Sequence, residues 1–151
     1  QPIHLSSDRP WAIDRLGQQR IKEGAYIWRD LLNEGVIVAS GTDAPVEPVD
    51  PIANFYAAVT RKTLKGIPEN GFEPAQKLTR MEALHAMTLA AAYAAFEEQD
   101  KGSIEVGKLA DLTVLDQDLT TVPETEILNT EVLLTIVGGE VAYQRDETTA
   151  P

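Results

Sequence analysis

The sequence predicts an α/β chain, and three observations carry that expectation. Val36 to Ala39 is a short, apolar, β-branched-rich run of the kind that forms a strand buried on both faces, and Ser40-Gly41-Thr42 breaks it. Helical spacing lies on both sides, with Ile21, Ala25, Trp28 and Leu32 before the run and Ile52, Phe55, Tyr56 and Val59 after it. Toward the C-terminus the pattern turns to strands, with Leu112 to Leu115 followed by two runs about Gly138-Gly139.

Taken in order, Gln1-Pro2-Ile3-His4 reads as the tail of a strand and Leu5 to Pro10 as a loop. Trp11 to Leu16 reads as a short helix closed by Gly17, and a second helix runs from Gln18 with Gly35 placed to cap it. Its aromatics, Tyr26 and Trp28, suit packing rather than ligand binding. Asp43 then stands at the C-terminal end of the expected strand, and Pro45 holds Ala44 out of the α region, so the chain is irregular where the carboxylate emerges.

Asp50-Pro51 is a helix N-cap followed by proline at the first helical position, opening a helix to about Lys62. Arg61, near its end, reads as a solvated cation without a role. Thr63 to Leu78 contains Gly66, Pro68, Gly71 and Pro74 and reads as an ordered surface loop. Thr79-Arg80-Met81-Glu82 is a capping box that opens a helix to about Phe96, with Leu84, Met87, Thr88, Ala91 and Ala95 as its packed stripe. His85 falls off that stripe and reads as an exposed or half-buried structural residue.

A composition shift at Glu97 to Lys101 marks a boundary. Gly107-Lys108 is a turn and Leu112 to Leu115 a buried strand. Residues 117–131 form a polar connection, Val132 to Val137 and Glu140 to Gln144 a hairpin, and Glu147 onward a loose tail. Asp111 and Asp116 suit strand termini rather than catalysis.

The chain has 151 residues, enough for one respectable core. Thirteen Lys and Arg against 24 Asp and Glu leave a net charge of −11, which repels nucleic acid and anionic membrane surfaces. No apolar run approaches the roughly 20 residues of a bilayer span. The absence of cysteine excludes disulfides and thiolate metal sites.

Five segments resemble one family, one of them the Ala57-Ala58-Val59-Thr60-Arg61 run that ends at Arg61. Ser40-Gly41-Thr42-Asp43-Ala44-Pro45-Val46 is similar to the strand-eight motif of the metal-dependent amidohydrolase superfamily, in its family-3 branch, with Thr42 in place of the usual serine. Residues 1–8, QPIHLSSD, resemble the segment that ends strand seven there, and Thr79 onward resembles a helix beside the barrel. Residues 102–116, GSIEVGKLADLTVLD, resemble a long signature near the C-termini of amidohydrolases.

The resemblance implies the C-terminal fragment of a (β/α)8 TIM-type barrel over residues 1–100, and part of a small, composite β-sandwich domain over 101–151. A whole barrel takes roughly 250 residues, and a chain that starts at Gln1 suits a fragment or processed product. By the same resemblance Asp43 binds a catalytic divalent metal, expected to be zinc, and relays the proton of the attacking water. His4 faces the active site as a substrate contact. The residues by themselves also admit an ordinary turn aspartate at position 43 and, at position 4, a histidine satisfied by a backbone group.

The implied reaction is hydrolysis of a non-peptide C–N bond in a small-molecule amide or cyclic amide, in which a metal lowers the pKa of bound water. One such carboxylate and two distant histidines cannot supply the remaining metal ligands. The 151-residue chain alone is therefore expected to be inactive. The alternative is a non-catalytic module that self-associates or pairs with a chain supplying the missing N-terminal part, since two lone barrel strands have open edges.

Overall fold

The computed structural model describes residues 1–146; the tail expected from Glu147 onward lies outside the described residues. Six α-helices precede a three-stranded sheet: α1 His4–Ser7, α2 Arg9–Gly24, α3 Trp28–Asn33, α4 Pro51–Thr60, α5 Arg80–Met87 and α6 Leu89–Ala94. The strands are β1 Leu112–Leu115, β2 Val132–Val137 and β3 Glu140–Gln144, antiparallel in the order β1-β2-β3. Leu112 pairs with Ile136 and Val137 with Glu140.

Helix α4 is the centre of the molecule. Asp50 caps it by accepting the Ile52 N–H at 2.8 Å, as its sequence predicts. Eight of its ten residues are buried, so it behaves as a core helix rather than the one-sided helix that its apolar spacing suggested. Around it pack Leu5, Trp28, Leu78 and Ala83, with Leu119, Val122 and Ile127 from the connection between β1 and β2. That connection, expected to be polar, carries three core residues, with Ile127 on a 3-10 segment, Glu124–Asn129.

Several local signals are realised. Gly35, at φ +78°, ends α3 in a Schellman motif: its N–H donates to Leu32 C=O at 3.0 Å, and the Val36 N–H donates to Leu31 C=O at 3.0 Å. The Gly138-Gly139 turn has positive φ at both residues, which only glycine takes without strain. Asp111 accepts the Gly138 N–H and Asp116 the Glu131 N–H, each at 2.8 Å, which fixes both as structural acceptors.

The capping box is present and extended. Thr79 Oγ1 accepts the Glu82 N–H, Glu82 accepts the Thr79 N–H, and the Arg29 guanidinium forks onto the same carboxylate, tying α3 to α5. Arg29 holds the Glu82 carboxyl well down, from 4.5 to about 2, with help from Thr79. A depressed carboxylate stabilises the fold above its unfolded pKa, and that stability disappears as pH falls from about 4.5 toward 2. With the site partly open to solvent, Glu82→Gln is expected to cost about 1–2 kcal/mol at neutral pH. Urea unfolding across this acid range should show a shallower slope in the variant; an unchanged slope would reject the pairing.

The structure corrects further expectations. Residues 1–4 are not a strand tail and Leu5 to Pro10 is not a loop: a turn leads into α1, and Arg9 opens α2. Val36 to Ala39 is not a strand: it has no regular secondary structure and no strand partner among the described residues, and Val36 and Ile37 are 46% and 50% exposed. The helix expected from Gln18 to Gly35 is interrupted by Tyr26 at φ +58°. The helix expected to Phe96 breaks at Thr88, whose hydroxyl donates to Leu84 C=O at 2.6 Å and displaces the regular backbone bond. Strand β1 is half-exposed, with Val114 on the open side, rather than buried.

Candidate active site

Two segments far apart in sequence meet above α4. Helix α1 carries His4, and the irregular segment after α3 ends in a turn that carries Asp43. The turn closes through Val46 N–H donating to Asp43 C=O at 2.8 Å, with a cis peptide between Ala44 and Pro45. Asp43 itself adopts φ +59°, a left-handed conformation that aspartate tolerates better than most residues. Its side chain is exposed.

The two segments are joined by side chains. Asn54 of α4, 2% exposed, accepts the Ile3 N–H at 2.9 Å and donates its Nδ2 to Ser40 Oγ at 2.9 Å. Ser7 Oγ donates to the Glu47 carboxylate, and Ser6 Oγ accepts the Leu64 N–H at 3.1 Å.

His4 is half-buried, with Nδ1 4.0 Å from Asp8 across one helical turn. Its Nε2 is shielded from solvent and has no hydrogen-bond partner among the described residues. No backbone group satisfies that nitrogen among the described residues. The other histidine, His85, is exposed on α5 and borders a separate apolar hollow with Leu32, Val38 and Met81.

Among the described residues no group of three or more His, Asp or Glu side chains is placed to hold a metal ion. Asp43 offers a single carboxylate, so these residues do not by themselves fit a metal centre. Two residues of consequence are missed by sequence reasoning. Asn54 carries one faint signal, a lone amide inside the apolar run of α4. Arg61 carries one as well, its place at the end of the family-like AAVTR run: far from being solvated, it is 0% exposed, with its guanidinium 4.7 Å from the Trp28 ring centroid and 5.6 Å from that of Phe72. Its Nη1 donates to Tyr26 C=O at 2.7 Å, which accounts for the helix break there.

The described residues thus form an α/β chain, six helices before a small antiparallel sheet, with an exposed carboxylate in the turn after α3. Residues 1–143 match the model of the amidohydrolase family, and the chain belongs to that family. It is 34% identical to the Bacillus subtilis protein named "Putative amidohydrolase YtcJ", over 96% of this chain and 27% of that protein. It is 37% identical to the N-substituted formamide deformylase of Arthrobacter pascens, over 78% of this chain and 21% of that protein. A crystal structure titled as an uncharacterized metal-dependent hydrolase from Pyrococcus horikoshii matches 83% of this chain and 25% of its own, at 32% identity and a TM-score of 0.70. The chain thus spans about a quarter of the length of the relatives it matches.

Proposed function

We propose that this chain furnishes part of the active site of a metal-dependent hydrolase acting on non-peptide C–N bonds in small amides or cyclic amides. Asp43 is its carboxylate base and one donor to a divalent metal, zinc by expectation, and His4 is a substrate contact. The observation that carries this reading is the Asp43 turn: an exposed carboxylate, in a defined conformation, linked through Ser40 and Asn54 to the segment bearing His4. The name of the Arthrobacter relative supports an amide as substrate.

In this role Asp43 accepts a proton from the attacking water and returns it to the leaving nitrogen as the C–N bond breaks. His4, on the neighbouring segment, is the substrate contact; its Nε2 is buried and has no partner among the described residues, so it retains hydrogen-bonding capacity for that role. Residues 1–100 are then a piece of a (β/α)8 barrel and residues 101–151 part of a β-sandwich, and the other metal donors come from outside these 151 residues.

With zinc added, the chain alone is expected to hydrolyse neither an N-substituted formamide nor a cyclic amide above a metal-matched blank. It should bind zinc weakly, and Asp43→Asn should weaken that binding further. Turnover by the chain alone would reject the incomplete centre, and zinc binding indifferent to Asp43→Asn would remove it as a donor. A second reading, a non-catalytic module that pairs with itself or another chain, draws support from the exposed Val36, Ile37, Phe96 and Ile104. Light scattering of the same sample separates the two, since a monomer would remove self-association.

A further inference from the structure

We propose that Asn54 is a positioning residue that sets the His4 segment and the Asp43 turn in register; this rests on the functional reading above. Among the described residues its amide is the one buried side chain that hydrogen-bonds both segments. Oδ1 takes the N–H of Ile3, next to His4, and Nδ2 reaches Ser40, three residues before Asp43, each at 2.9 Å. Each partner lies far off in sequence, 51 and 14 residues away, so neither bond serves the helix that carries Asn54.

The surroundings make this geometry selective. Asn54 sits between Ala53 and Phe55 on a helix buried on nearly every side, where an unbonded amide is costly and an apolar residue would pack without partners. An amide offers a donor at one atom and an acceptor at the other. A slip of either segment breaks one bond and leaves a buried polar atom unpaired, so both segments share one reference point on the most deeply packed helix. Ser40 is in turn fixed by its own N–H, which donates to Ala86 C=O of α5 at 2.9 Å.

The test uses the 151-residue chain and needs no turnover, so it stands or falls separately from the hydrolase reading. The reference is the β2–β3 hairpin, whose strands Val132–Val137 and Glu140–Gln144 lie far from Ser40 in sequence and share no hydrogen bond with it among the described residues. In nitrogen–proton correlation spectra, Ser40→Ala is expected to shift the Asp43 amide and also the His4 imidazole, leaving the hairpin amides in place. Asn54→Ala should move the same signals further, and adding Ser40→Ala to it should produce no further displacement. A His4 imidazole unmoved by Ser40→Ala would overturn the proposal, even if Asn54→Ala fails to fold. So would a Ser40→Ala effect on Asp43 that survives undiminished without Asn54.

Discussion

Arg61→Ala is expected to remove about 3–5 kcal/mol of folding stability, the scale of a large buried side chain deleted together with its hydrogen bonds. Arg61 ends α4 at φ +58° and folds back into the core. There its guanidinium lies over the Trp28 and Phe72 rings and donates to the carbonyls of Tyr26 and Phe72. Burial lowers its pKa to about 10, with Glu73 and Tyr26 opposing the shift, so the side chain remains a cation at neutral pH. Truncation leaves two carbonyls without their donor, removes both ring contacts and opens a void between α3, α4 and the following loop. Arg61→Lys keeps the charge but not the planar fork, and should recover only a fraction of the loss. Chemical unfolding followed by circular dichroism measures both variants. A loss below about 1 kcal/mol in Arg61→Ala would mean that this cluster does not hold the helices together.

The second large effect is expected at Gly71. A methyl group there would stand 2.2 Å from the Thr60 carbonyl oxygen and 3.3 Å from Arg61 Cβ, on a backbone at φ +82°. The obstructing atom is backbone at the end of α4 and cannot turn aside. Relief requires moving the loop, which breaks the hydrogen bond from Phe72 N–H to Arg61 C=O at 2.8 Å. Gly71→Ala should therefore cost about 2–4 kcal/mol, combining left-handed strain with overpacking. Gly66→Ala is the control, since Gly66 has φ +77° and a methyl group on it would meet nothing within 4 Å. It should show the conformational part alone, about 1 kcal/mol. Equal losses in the two variants would reject the clash. Because Gly71 and Arg61 share a contact, the double variant should lose less than the sum of the singles.

Legibility in the sequence followed the range of the interactions. The Asp50 cap, the Thr79 to Glu82 box, the Gly35 terminus and the Gly138-Gly139 hairpin were all readable, because each closes its hydrogen bonds within a few residues. The irregular backbone at Asp43 was readable from Pro45 for the same reason. Val36 to Ala39 was legible as an apolar run but misread as a buried strand, since strand pairing and burial depend on what lies alongside. Thr88 and Tyr26 sit inside good helical patterns, but each break satisfies a group the pattern does not see: the Leu84 carbonyl for Thr88, and the Arg61 guanidinium for Tyr26.

For the candidate site, the sequence by itself singled out Asp43 in its turn and His4 in its segment, and it determined membership of the amidohydrolase family. Only the tertiary structure decided that Asn54 joins those two segments and that Arg61 is buried rather than solvated. Caps and turns are chosen by neighbouring residues, whereas a buried amide or guanidinium is chosen by partners that only the fold brings within hydrogen-bonding reach.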